Sequence, residues 1–251
     1  MFETEIRVGT ADGRMTTFVA HPDGDGPFPV AVLFMDGVGY REQVKENARR
    51  FAADGFYVVA PDLFYRSGEQ LSFDFARVSD PAYRQRLMEV VSSVTPERAL
   101  ADVEAVLATV ADDPAAAAGP RVCVGYCMGA RLALRAAAAP DAEFVAAAGI
   151  HPGALVTDQP DSPHFELADV SGAIYFAFAE NDQSATEENV DLFREEMERQ
   201  GVDGVVERLP ATTHGFAMAD LPVFDEAAAE RHFDRTLELW RRSLDQQAAG
   251  V

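Results

Sequence analysis

Lysine is almost missing from this chain of 251 residues: Lys45 stands alone beside 20 arginines, against 42 aspartates and glutamates, for a formal net charge of −21. A chain so acidic offers no basic face to a phosphate backbone, which argues against a nucleic-acid or anionic-membrane partner. The excess of acid reads as a solvated surface or as adaptation to high salt. Cysteine is scarce too, with Cys123 and Cys127 as the pair. Four residues apart on an extended run, they stand roughly 13 Å apart by strand rise, beyond disulfide reach, so both are expected as free thiols. The histidines and cysteines lack the paired spacing of a zinc site, so no metal is expected. No apolar run approaches the roughly 18 residues of a membrane span, and residues 1–9 carry Glu3, Glu5 and Arg7 with no apolar h-region. Neither a span nor a signal peptide is expected, and the cysteine usage fits a cytoplasmic protein.

What the chain does have is ordinary globular stock, with 48 % hydrophobic and 25 % charged residues, enough to bury a large core. Chains of this length commonly form one α/β unit, so residues 1–251 are expected as a single domain. Residues 246–251 lose all periodicity and are expected to lack order.

Alternating runs at 6–8 and 15–20, joined through Asp12-Gly13, predict an antiparallel hairpin at the sheet edge. Continuous apolar runs at 30–35, 56–60, 121–126, 144–150, 173–179 and 205–209 predict buried strands. Helical patterns follow at 42–54, 81–94, 95–110, 128–139 and 184–200, and at the C-terminus, where Phe233, Leu237, Trp240 and Leu244 share a face. Thr95-Pro96 and Ser184-Ala185-Thr186-Glu187 read as helix starts, the second as a capping box. Strands alternating with helices imply an α/β fold with a mostly parallel central sheet, helices on both faces and a short antiparallel N-terminal edge. Two irregular stretches, 61–80 and 153–172, are long enough to act as a lid or a pocket wall.

The chemistry gathers at strand ends. Gly125, Cys127 and Gly129 form a nucleophile elbow with cysteine in the serine slot, on a sharp turn from strand to helix. Asp182 and His214 end two later strands, and nucleophile, acid, histidine is the chain order of an α/β-hydrolase. In that reading Cys127 attacks as thiolate, His214 carries its proton, and Asp182 orients the imidazole. The backbone N–H groups of Met128, just after the nucleophile, and of Gly37, in the loop after strand 30–35, are the expected oxyanion donors. Cys123, in mid-strand, is expected to be an inert core thiol. His21, His164 and His232 have no comparable setting, whereas His151 follows a strand and is a candidate pocket residue.

With these residues in place, the chain resembles the dienelactone hydrolase family. The matching motifs are Pro61-Asp62-Leu63-Phe64, Gly125-Tyr126-Cys127-Met128-Gly129, the acid at Asp182 and His214-Gly215-Phe216, and the likeness runs from the strand at 30 to the histidine loop. The resemblance implies a cysteine hydrolase of carboxymethylenebutenolidase type, acting without cofactor on small lactones or activated esters, as a monomer or small homo-oligomer. Members that open dienelactone usually carry glutamate, which holds the resting thiol, where this chain has Asp36. They also carry an arginine four residues after the histidine, which helps bind the substrate carboxylate, where this chain has Met218. Arg84 or Arg86 is the candidate for the family's other carboxylate-binding arginine. Replacing a bidentate anion binder by a thioether removes an anion site, so the expected substrate is a neutral, more apolar lactone or ester, not dienelactone. Two other readings share the elbow. A glutamine amidotransferase-like enzyme usually pairs its histidine with a nearby glutamate, and a non-catalytic binding protein would keep an ordinary thiol at Cys127.

Overall fold

The computed structural model of the protein describes residues 1–140 and 143–250; Val251, last of the six residues expected to lack order, lies outside them. The chain divides into two compact units, Met1–Ala118 and Gly119–Val251.

In the first unit, β1 (Phe2–Thr10) and β2 (Gly13–His21) form the expected antiparallel hairpin. Gly13 already pairs with Thr10, so the turn residues are Ala11 and Asp12, with the Asp12 N–H donating to the Thr10 hydroxyl at 3.2 Å. The apolar runs become β3 (Val30–Phe34) and β4 (Tyr57–Pro61), buried at every position. Strand order is β1-β2-β4-β3, with β4 antiparallel to β2 and parallel to β3. Helix α1 (Glu42–Ala53) buries Val44, Ala48, Phe51 and Ala52, as its spacing predicts. Helix α2 (Pro81–Ser93) buries only Val90, and α3 (Pro96–Val110) starts at Thr95, whose side chain accepts from the Arg98 N–H.

The irregular stretch after β4 is tied down on its near side. Buried Asp62 accepts from the N–H groups of Phe64 and Gln70 at 3.1 and 2.8 Å. Arg66 forks onto both oxygens of buried Asp102 in α3, at 2.7 and 2.9 Å, and the Tyr65 hydroxyl donates to the same carboxylate at 3.0 Å.

The second unit is parallel throughout. Strands β5 (Arg121–Tyr126), β6 (Phe144–Ile150), β7 (Ala173–Asn181) and β8 (Gly204–Thr213) lie side by side in chain order. Helices α4 (Met128–Ala138), α5 (Glu187–Gln200) and α6 (Glu226–Ala249) accompany them. The stretch after β6 contains a 3-10 helix at Pro163–Asp169.

Three expectations need correction. The capping box is not formed: α5 begins one residue after Thr186, whose hydroxyl accepts from the Asn189 N–H at 3.3 Å, because Ser184 is engaged elsewhere. The last strand does not stop at 209. Pro210 has no N–H to give the ladder, and Ala211 takes φ 61° in a bulge pinned by Glu180, whose carboxylate accepts from the Ala211 N–H at 2.8 Å; pairing then resumes at Thr213. The C-terminal residues 246–249 are helical, continuing α6 to a left-handed Gly250 cap. A helix anchored by fully buried Trp240 extends beyond its apolar stripe because its backbone hydrogen bonds propagate one residue at a time at little cost. Among the described residues no helix is long and apolar enough to cross a membrane.

Asp102→Ala strips Arg66 of its buried partner, and breaking such a pair typically costs about 3–5 kcal/mol. Urea unfolding should report a loss of that order, and a loss below about 1 kcal/mol, the range of an exposed pair, would contradict the anchoring role.

Candidate active site

Strand β5 is buried along nearly its whole length and then reverses within one residue. Cys127 sits at φ 52°, ψ −113° between β5 and α4, a conformation that costs a non-glycine residue of order 1–3 kcal/mol and persists only where its surroundings over-determine it. Two contacts hold it: its N–H donates to the Ile150 carbonyl at 3.0 Å and its carbonyl accepts from Ala130 at 3.1 Å. The turn also needs bare backbone, since a Cβ on Gly125 would lie 1.9 Å from the Gly129 carbonyl oxygen. The strained residue is presented half-exposed at the carboxyl end of the parallel strands. Met128, the first residue of α4, has an N–H with no acceptor inside the helix.

The next two groups come from the neighbouring strand ends. Asn181 of β7 pairs with Thr213 of β8, so Asp182 and His214 follow at the same level of the sheet. His214 Nδ1–H donates to Asp182 Oδ2 at 2.6 Å, and His214 Nε2 lies 3.0 Å from Cys127 Sγ. Asp182 accepts from Ser184 on its other oxygen, from the N–H at 2.8 Å and the hydroxyl at 2.6 Å. Burial by itself would hold the His214 imidazole neutral, but a Cys127 thiolate and the Asp182 carboxylate outweigh it and push the imidazole up to about 10. Burial would likewise raise Asp182; its bonds from His214 and Ser184 prevail and hold it below the ordinary carboxylate value. In this arrangement Nε2 is within hydrogen-bond reach of the sulfur and Nδ1 of the carboxylate.

The model of the dienelactone hydrolase family matches residues 15–244, a span that includes all three groups and runs across both units. The chain belongs to the dienelactone hydrolase family. It is 27% identical over 232 residues to the "Putative carboxymethylenebutenolidase" of Escherichia coli (strain K12), covering 91% of this chain and 83% of that protein. It is also 27% identical over 224 residues to the carboxymethylenebutenolidase of Pseudomonas sp. (strain P51), covering 86% of each. The crystal structure of a "Putative Dienelactone Hydrolase" from Klebsiella pneumoniae superimposes with a TM-score of 0.83 at 21% identity, over 96% of this chain and 98% of the other. The fold is the α/β-hydrolase fold, and the protein is a hydrolase of the dienelactone hydrolase family.

The other positions read from the sequence fall as follows. His151, at the end of β6 with φ 38°, is fully buried, its ring centroid 5.2 Å from that of His214 and 5.3 Å from that of Phe216. Met218 is fully buried beyond the histidine loop. Cys123 is buried, its thiol pushed up by burial and directed at the Ala133 carbonyl at 3.7 Å. In the first unit, Asp36 follows β3, buried, and takes a forked pair of bonds from Arg41 at 2.6 and 3.0 Å as well as the Val38 N–H at 3.1 Å. Gly37 lies in that same turn, with Val91 close behind it. Arg84 and Arg86 stand on the outer face of α2, both exposed, Arg86 3.8 Å from Glu89. Among the described residues no group of three His, Cys, Asp or Glu is placed to hold a metal ion. Arg41 and Glu180 carry no signal in the sequence as site residues, and Ser184 reads there as a helix cap. Ser184 left a signal, because a donor two residues after an aspartate is the spacing of an Asx turn.

Two outcomes follow from this geometry. Gly125→Ala cannot keep the elbow, and overpacking against backbone, which cannot rotate away, should cost about 3 kcal/mol or more; an unchanged melting midpoint would contradict it. The charge pair also sets a pH dependence. The folded value of His214, about 10, lies above the ordinary 6.5, so its stabilisation is complete below that ordinary value and fades as the pH rises through the folded one. The stability gap between wild type and Asp182→Asn, read by urea unfolding, should be widest near neutrality and shrink in alkali; a gap that widens in alkali would overturn the pairing.

Proposed function

We propose that the protein hydrolyses a lactone or activated carboxylic ester through a thioester on Cys127, with His214 as proton carrier and Asp182 as its orienting acid. The observation that carries this reading is the unbroken contact from Asp182 Oδ2 through the imidazole to Cys127 Sγ, at 2.6 and 3.0 Å. The nucleophilic form of the sulfur is the thiolate, reached when the thiol proton passes to Nε2. Sγ attacks the carbonyl carbon, the C–O bond breaks, and the leaving oxygen takes the proton from Nε2. Water, deprotonated by the now neutral imidazole, attacks the thioester and releases the acid, and the thiolate and imidazolium are restored. Charge building on the carbonyl oxygen is met by the free N–H of Met128 at the positive end of α4.

The preferred substrate in this reading is neutral. Met218 stands where the family's dienelactone-opening members carry an arginine, and a buried thioether offers a carboxylate no charge and no donor.

Cys127→Ala should lower hydrolysis of p-nitrophenyl acetate by on the order of 10⁶-fold, as loss of a nucleophile does in a comparable triad, and abolish the acyl adduct that mass spectrometry should detect in wild type. Cys123→Ala should stay close to wild type, and equal loss in both variants would sink the assignment. Dihydrocoumarin should be turned over with a higher kcat/KM than dienelactone; the reverse order would remove the case for a neutral substrate.

A further inference from the structure

Helix α5 is capped by Thr186, so the Ser184 hydroxyl is released from the role its sequence suggests. It spends its proton on Asp182 Oδ1 at 2.6 Å, beside the bond from its own N–H to the same oxygen at 2.8 Å. The Ser184 carbonyl accepts from the Ala154 N–H at 3.1 Å, which ties the segment after β6 to the acid loop. That segment approaches closely because residue 153 is glycine: a Cβ there would stand 3.2 Å from the Ser184 hydroxyl and 3.6 Å from Cε1 of His214.

We infer that Ser184 is a positioning residue for the reaction, locking the Asp182 carboxylate so that Oδ2 alone faces the His214 ring. The inference rests on the proposed role of Asp182 and His214. A carboxylate turns easily about its terminal bond, because that torsion is broad and lacks sharp rotamer wells. Two donors from one residue on one oxygen fix the carboxylate plane, and the plane fixes where the second oxygen points. The Asp182 side chain is only 3% exposed, whereas Ser184 stands at the surface beside it. The N–H bond by itself is an ordinary Asx turn; the hydroxyl adds a second, charge-assisted bond of the stronger kind.

The test is steady-state kinetics with p-nitrophenyl acetate on Ser184→Ala, Ser184→Thr, Gly153→Ala and Cys127→Ala, with melting curves for each. Ser184→Ala should lose about tenfold in kcat with KM held within about twofold, the size expected for one hydrogen bond to a charged group. The acid limb of its kcat profile should move to higher pH, since a carboxylate that loses a donor is easier to protonate. Ser184→Thr, which keeps the hydroxyl, should recover most of the rate, and Gly153→Ala, which crowds both Ser184 and His214, should lose kcat as Ser184→Ala does. Full activity in Cys127→Ala would overturn the underlying chemistry. An inactive Cys127→Ala beside a Ser184→Ala of wild-type kcat and pH profile would overturn the role of Ser184 alone. So would a loss in Ser184→Ala that threonine does not repair and that follows the melting midpoint.

Discussion

The close approach of β5 to α4 is the constraint on which the second unit's chemistry depends. A strand and the helix that follows it can turn within one residue only if their backbones nearly touch, and at Gly125 there is no room for even one methyl group against Gly129. That contact forces Cys127 into a backbone conformation that side chains rarely adopt. The strain is offset by the helix, by the bond from the Cys127 N–H to Ile150 of the adjacent strand, and by the surrounding core. In return the sulfur is carried on a rigid edge, beside the first N–H of α4, which has no acceptor inside the helix.

Asp182 and His214 inherit their alignment from the same sheet. Parallel strands end at one level, so residues just beyond β7 and β8 meet without a long loop to order. The bulge at Ala211 refines this alignment: Pro210 interrupts the ladder, Glu180 takes the freed N–H, and the strand resumes in register with Asn181. Electrostatics then compound the geometry. Burial opposes charge on His214 and on Asp182 alike, while their mutual hydrogen bond and the bonds from Ser184 to the carboxylate favour the charged forms.

Much of this was legible because it obeys local rules. Alternation at the N-terminal edge, continuous apolar runs and the 3.6-residue period placed every main strand and helix; the glycine spacing named the elbow; and Asp182 and His214 stood out as polar residues ending apolar runs. What went unread was decided by competition between partners. Ser184 has the look of a helix cap, and only the position of Asp182 in space shows that its hydroxyl is better used on a carboxylate. Strand β8 reads as finished at its proline because its rescue comes from Glu180, 31 residues earlier. The order of residues 246–249 belongs to the anchored length of α6, not to their own composition.

The sequence by itself determined the family and the fold class and pointed to Cys127, Asp182 and His214 as candidates, because those follow from chain order, spacing and hydrophobic pattern, which are properties of a line. Tertiary structure alone decided which donors serve each acid. Asp36 is forked by Arg41, Asp102 by Arg66, and Asp182 is shared between His214 and Ser184, since a carboxylate's charge is settled by whatever lies within about 3 Å of its oxygens, and no spacing along the chain measures that distance.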